Sequence, residues 1–386
     1  MQFSQKYFEL RSQFNPVAMR TAFSNSGIIC HAIQFNSSYA SEPLNGLKIT
    51  GSAKSAIFAV PDEAIKENQS FTYYVFTFGT KTKYQKAIIL LHGLNERSWD
   101  KYLAWAYYLA EKTGHPIILF PIAFHMNRSP EAWRNPREMQ PLLTMRKQKY
   151  GEDPASTFAN VALSERLTEE PIRFFTSGQQ SADDLAKLSR SINRGEHPLF
   201  EKGATTNVFA YSIGAFLAQI LFLANPDGLF SNSKLFLFCG GAFFNEMKGV
   251  SKLIMDKAAF HRLQNFYLNE LKQEHIGSGS LLESIGKTEP GQAFLAMLAP
   301  GMMQHFREAR FRQIRNNIQA VTLKKDLVIP ANKIANALGE DPDVEILDFP
   351  FGYSHETPFP LNNSLLFPLV DAGFEKIFSK AAQFLG

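Results

Sequence analysis

The sequence is poor in cysteine, in net charge and in long apolar runs, and each shortage excludes a class of protein. Two cysteines, Cys30 and Cys239, stand among 386 residues. That is too few for a disulfide framework, so the core must supply the stability. Cys239 closes the apolar run Leu235 to Cys239 and reads as a small buried hydrophobe. This usage fits a reducing compartment. The net charge of +4 is small for the length and gives no concentrated basic face for nucleic acid. The longest apolar stretch, Ile213 to Ala224, is interrupted by Gln219 and falls short of the ~18 residues that span a bilayer. The opening M-Q-F-S-Q-K-Y-F lacks the basic segment and apolar core of a signal peptide. A soluble, cytoplasmic protein is expected. No H-E-x-x-H or C-x-x-C spacing is present, and no G-x-G-x-x-G follows a strand. Neither a metal nor a nucleotide cofactor is therefore expected, and the partner anticipated is a small-molecule substrate.

What is present is the balance of an ordinary globular protein, with 45% hydrophobic and 20% charged residues. Phenylalanine is unusually common at 35 residues, enough that some must lie on helices outside a central sheet. Short apolar runs alternate with helical spacing, which predicts a mostly parallel sheet covered on both faces. Strands are expected at Phe71 to Phe78, Ala87 to Leu91, Ile117 to Phe120, Asn207 to Tyr211, Leu235 to Cys239, Ile318 to Leu323 and Val344 to Leu347. Helices are expected at Tyr102 to Glu111, Ala182 to Ile192, Ile213 to Ala224, Ala331 to Leu338 and Phe374 to Phe384. Two stretches break the alternation. From His125 to about Gly178 no strand signal appears. From Phe243 to Arg315 helical pattern runs far beyond the single crossover helix that a parallel sheet needs. The first seventy residues are expected to add strands at the sheet edge.

Three places carry chemistry. Ala210 to Gly214 reads A-Y-S-I-G between an apolar strand and an apolar helix. A serine on a sharp strand-to-helix turn needs small residues on both sides, and Ala210 and Gly214 supply them. Such a turn projects the Ser212 hydroxyl and leaves the Ile213 N–H free at the helix N-terminus, where a developing oxyanion is favoured. The blander reading is a serine in a tight turn. The second place, L-L-H-G-L-N at Leu90 to Asn95, follows the second strand. Gly93 allows close backbone approach there. The side chain of His92 is expected to pack in the loop and hold it. The third is the pair K-K-D-L-V-I-P, containing Asp326, and F-G-Y-S-H-E, containing His355.

Together these residues resemble the α/β-hydrolase superfamily over the sheet framework from about Phe71 onward. The resemblance implies a doubly wound, mostly parallel α/β sheet with helical cap insertions and a serine hydrolase of esterase type. It implies Ser212 as nucleophile, His355 as general base and Asp326 as the acid. In that family the acid and histidine follow the serine in this order, and His355 is the one histidine beyond Asp326. Asp341, Asp343, Asp348 and Glu246 are competing acids. The family's second oxyanion donor falls on the backbone of Leu94, with Asn95 as alternative. The H-G-G-G form of some lipases is absent.

Candidate substrate contacts are Asn95, His125, Arg128, Tyr211 and Phe243. The aromatic and methionine content of Phe243 to Arg315 suits either an apolar acyl pocket or docking onto the core. The four arginines of Arg307 to Arg315 read as a solvated helix face. The expected organisation is 1–124 as the first part of the core, 125–180 a first insertion and 181–242 the core with the serine turn. A helical cap is expected at 243–316, with the acid and histidine in 317–386. Two other readings share this pattern: a degenerate hydrolase acting as a binding module, and lyase or acyl-transfer chemistry on the same fold.

Overall fold

A computed structural model describes residues 2–24, 26–38, 61–79, 81–273, 280–339 and 342–386. Nine strands form one sheet: β1 (Arg20–Ala22), β2 (Ile28–Asn36), β3 (Ser70–Phe78), β4 (Tyr84–Leu91), β5 (Ile117–Leu119), β6 (Phe200–Tyr211), β7 (Leu235–Phe238), β8 (Ile318–Leu323) and β9 (Val344–Leu347). Their spatial order is β1-β2-β3-β5-β4-β6-β7-β8-β9. The first three pairings, β1 with β2, β2 with β3 and β3 with β5, are antiparallel. Every pairing from β5 through β4 to β9 is parallel. This is the mostly parallel sheet, covered on both faces, that the alternation of apolar runs predicts.

Period-two side-chain alternation gives the sheet two cores. Ile89, Leu91, Val208, Ala210, Leu235 and Leu237 face one, which is closed by the helices Arg173–Arg194 and Ile213–Ala224. Ile88, Leu90, Phe209, Tyr211, Phe236 and Phe238 face the other, under the helices Asp100–Thr113 and Phe367–Leu385. Because both faces are covered, the central strands are continuously apolar. Burial on this scale, roughly 1.5–3 kcal/mol for each large aliphatic or aromatic side chain, is what offsets the ordering entropy in a chain without disulfides.

The structure extends the sequence expectations in three places. The helix expected from Ala182 begins at Arg173. Its first turns read R-F-F-T-S-G-Q-Q, a polar mixture that hides the buried Phe175 and Thr176. The stretch between β5 and β6 also contains the helices Pro136–Tyr150 and Val161–Glu169. At the N-terminus, β1 and β2 lie at the sheet edge as expected, but a helix, Phe3–Gln13, precedes them. It docks on Phe367–Leu385 through Phe3, stacked 4.3 Å from Phe374, and through Ser4, whose amide and hydroxyl donate to Asp371 at 2.6 and 2.9 Å. Among the described residues between β7 and β8, Lys257–Asn265, Glu289–Leu298 and Gln304–Ile314 are the longest α-helices. No helix among the described residues is long and apolar enough to cross a membrane.

Candidate active site

The parallel strands deliver three loops to one edge of the sheet. At the end of β6, Ser212 sits at φ 58° and ψ −121°, a backbone conformation that costs a non-glycine residue on the order of 1–3 kcal/mol. Its amide donates to Phe238 O at 3.2 Å, and the helix Ile213–Ala224 starts at the next residue. The strain is held by close packing from two sides. A Cβ at Gly214 would come within 2.9 Å of His92 O and 2.8 Å of Leu91 Cβ. A Cβ at Gly240 would come within 2.4 Å of Ala215 Cβ and 2.8 Å of Ser212 O. Gly214 is the small residue expected after the serine. Gly240 has no local sequence signal, because it follows β7 and meets the turn only in the folded chain.

Ser212 Oγ lies 2.6 Å from His355 Nε2. His355 Nδ1 lies 2.7 Å from Asp326 Oδ2, and both of these side chains are buried. Asp326 Oδ1 accepts the amides of Val328 and Ile329, each at 2.9 Å. The carboxylate is thus a turn-forming aspartate and a partner of the histidine at once. With every Asp326 oxygen accepting, Nδ1 carries the ring proton and Nε2 is left to accept from the serine hydroxyl. The competing acids lie elsewhere. Glu246 pairs with Lys333 at 3.2 Å. Asp343 accepts from Gln319 at 2.7 Å, and Asp348 accepts from Tyr353 at 2.9 Å. Asp341 is outside the described residues.

The loop after β4 is braced from below. His92 Nδ1 donates to Gly93 O at 2.8 Å, and its Nε2 accepts the Ile122 amide at 2.9 Å, tying this loop to the one after β5. Burial pushes the His92 imidazole well below its ordinary range, so the ring is neutral, as this pairing requires. The Gly93 amide donates to Tyr102 Oη at 2.9 Å, and Tyr102 donates to Glu96 at 2.9 Å. Lys101 binds the same Glu96 carboxylate and donates to Glu356 O at 3.2 Å, beside His355. Tyr102, Glu96 and Lys101 were not legible as a set, since their contacts form only when the first turn of the helix Asp100–Thr113 folds back on the loop after β4. Among the described residues, the amides of Leu94 and Ile213 have no protein acceptor, and both residues line the cavity that contains Ser212.

That cavity is walled by Phe244, Met247, Met255 and Phe260 from the segment between β7 and β8. A second shares Leu94, Ile213 and Phe174 with it and runs under the helices Val161–Glu169 and Arg173–Arg194. His125 lines this second cavity. The other expected contacts are placed differently. Arg128 lines neither cavity: it is fully buried, pairs with Asp184 at 2.8 Å and lies over the Phe71 ring. An arginine just after a strand reads as pocket-facing in one dimension, but a buried carboxylate claims it in three. Phe243 lies under the Arg307 guanidinium, 4.6 Å away, and also lines neither cavity. Tyr211 stacks on the His355 ring at 5.6 Å and its hydroxyl donates to His355 O, so it supports the histidine loop. Asn95, at φ 61°, donates its side-chain amide to Ala159 O at 2.8 Å and Leu253 O at 2.7 Å, joining the β4 loop to both helical segments.

Solved structures with a similar overall course include a cold-adapted esterase from an Arctic intertidal metagenomic library. It shows 10% identity and a TM-score of 0.43, with 93% of this chain and 95% of that chain covered. A thermostable esterase from Pseudomonas putida shows 12% identity and a TM-score of 0.45, covering 99% and 89%. The peroxisomal alpha-beta-hydrolase Lpx1 from Saccharomyces cerevisiae shows 12% identity and a TM-score of 0.38, covering 92% and 91%. No curated protein matches in sequence. One family model matches residues 1–386, and the chain belongs to that family, the family of unknown function DUF6051.

Proposed function

We propose that the chain is a serine hydrolase that cleaves an ester of a small to medium, partly apolar substrate through an acyl-enzyme. The same chemistry extends to a thioester or amide. The observation that carries this reading is the continuous relay from Ser212 through His355 to Asp326, with contacts of 2.6 and 2.7 Å, at a turn that ends a parallel strand. A hydroxyl is a poor nucleophile until a base takes its proton, and the base needs an acid to hold its tautomer. Ser212 Oγ attacks the carbonyl carbon while His355 Nε2 takes its proton. Asp326 stabilises the imidazolium that results. The carbonyl oxygen gains the negative charge and is held by the free amides of Ile213 and Leu94. Losing one such donor costs on the order of 3 kcal/mol of barrier. The tetrahedral intermediate collapses, the leaving alkoxide takes the proton from His355, and the acyl group stays on Ser212. Water then attacks the acyl-enzyme with His355 again as base, which releases the acid and restores the serine.

The segments 125–180 and 243–316 act as caps over the sheet edge, and their apolar walls exclude water from the bound acyl group. A binding module with a broken relay would hold His355 out of hydrogen-bond reach of the serine, whereas direct contact supports catalysis. The test is hydrolysis of p-nitrophenyl esters of graded chain length. Wild type should show a burst of nitrophenol followed by slower turnover, and Ser212→Ala and His355→Ala should show neither. Equal rates for all three proteins would reject the proposal.

A further inference from the structure

The second cavity begins at the residues whose amides are free. Leu94 and Ile213 line both cavities, and Phe174 is the third residue common to the two. From that junction the second cavity follows the helix Ile213–Ala224. Ile213, Phe216, Leu217 and Ile220 all line it, and these positions, at i, i+3, i+4 and i+7, form one helix face. They span two turns, about 10 Å of apolar wall. The facing side brings no free charge. Arg166 and Arg173 pair with Asp62, and burial pushes the His125 imidazole down to about 4, so that ring is neutral.

The helix Arg173–Arg194 faces this wall and carries a glycine that its backbone does not require. Gly178 lies inside the helix at a φ that any residue can adopt. Glycine there destabilises a helix relative to alanine, because it gives up more backbone freedom on folding. Close packing is one reason to keep a glycine, as at Gly214 and Gly240. Gly178 lacks that reason, since a Cβ would meet nothing across from it within 4 Å. Nor does its row of the helix turn to bulk solvent. One turn before it, Phe174 lines both cavities, and one turn after it, Ala182 is buried in the core. Gly178 itself lines the second cavity and not the first. The space that a side chain would occupy is therefore cavity, one turn deeper than Phe174.

We propose that this cavity holds an unbranched alkyl chain of the substrate and that Gly178 sets how long that chain is. The inference rests on the hydrolase reading for the reaction, and on the cavity alone for the chain. A carbonyl oxygen held by the Leu94 and Ile213 amides stands at the cavity mouth, so one substituent of the carbonyl extends along the helix face. An extended chain follows such a wall, which a compact group cannot. Each methylene that reaches it adds roughly fourfold in binding. A side chain at position 178 would take the place of the far methylenes. The chain belongs either to the acyl part or to the alcohol part of the ester, and turnover distinguishes them.

Binding is measured by calorimetry on Ser212→Ala with methyl butanoate, methyl hexanoate and methyl octanoate. Affinity should rise at least tenfold from the shortest to the longest, and adding Gly178→Leu should remove most of that rise. Should Gly178→Leu fail to fold, Gly178→Ala decides: it should cut the rise by about fourfold, the worth of one methylene, and melt no lower than its parent. No rise with chain length, a rise that the folded variant leaves intact, or a lower melting temperature for Gly178→Ala overturns the proposal. Wild type and Gly178→Leu are then assayed on p-nitrophenyl acetate through decanoate and on the acetates of n-butanol through n-decanol. The readout is the ratio of kcat/KM for long over short chains. A tenfold or greater fall of that ratio in the variant places the chain on the acyl side if it occurs in the first series, and on the alcohol side if in the second. Turnover in which neither ratio changes overturns the proposal. Binding that responds to Gly178→Leu, with no turnover of any ester by wild type, supports the chain site and removes the hydrolase reading.

Discussion

Replacing Gly240 with alanine tests how the serine is held. The new methyl would stand 2.4 Å from Ala215 Cβ and 2.8 Å from Ser212 O. Carbon atoms in contact sit about 3.5–4.0 Å apart, so the first overlap alone exceeds 1 Å or so. Neither neighbour is the end of a flexible side chain: one is on the helix Ile213–Ala224 and the other is backbone of the strained turn. Relief must therefore move Ser212 or the loop after β7. Overpacking of this kind costs about 1–3 kcal/mol of stability. A nucleophile displaced by about 1 Å from its base loses on the order of a hundredfold in rate. The assay is kcat/KM on a reactive ester beside urea unfolding, with Gly301→Ala as control, since nothing lies within 4 Å of a Cβ there. Gly240→Ala with kcat/KM within threefold of wild type would refute the packing argument, because the turn would then have room that the structure denies.

Asp326→Asn should keep the fold, since the amide oxygen can still accept from Val328 and Ile329, but it presents the wrong hydrogen-bond partner to His355 Nδ1. A fall in kcat of roughly 10⁴-fold is expected at neutral pH, and a loss under tenfold would show another acid at work. Arg146 is buried between Asp256, at 2.7 Å, and Glu165, at 2.6 Å. Arg146→Met leaves both carboxylates uncompensated and should destabilise by about 3–5 kcal/mol in urea unfolding, whereas a loss below 1 kcal/mol or so would make the cluster incidental. His125 and His197 are both pushed by burial from 6.5 down to about 4. Each is neutral when folded and binds a proton more readily when unfolded. Their stability contribution is therefore complete above pH 6.5 and is lost as pH falls towards 4. At about 1.4 kcal/mol per unit this amounts to roughly 3 kcal/mol each, and unfolding curves that do not shift across that window would contradict it.

The sheet was legible because its signal is local. Runs such as Ala87 to Leu91 and Leu235 to Cys239 are apolar on both faces, and only a covered parallel strand needs that. Ser212 was legible for the same reason, since strand, small residue, serine, small residue and apolar helix are contiguous. Asp326 and His355 came from the chain order that the resemblance implies, and the structure places them 2.7 Å apart, with His355 2.6 Å from Ser212. What stayed hidden is set by distant partners. Gly240 looks like any loop glycine until Ala215 is placed against it. Arg128 and Asn95 stand where ligands are often found, yet Asp184 and the carbonyls of Ala159 and Leu253 take them. Arg166 and Arg173 carry no sequence signal for a cavity wall, because only the folded chain sets the helices Val161–Glu169 and Arg173–Arg194 opposite Ile213 and Phe216.

The central claim is that Ser212 is an activated nucleophile, and covalent labelling tests it most directly. Wild type, Ser212→Ala and His355→Ala are treated with a small fluorophosphonate at pH 8 and read by intact mass, with the adduct located by peptide mapping. The account predicts one adduct on wild type, at Ser212, and none on either variant. A well-folded wild type that takes no adduct, or an adduct that persists in Ser212→Ala, would contradict it.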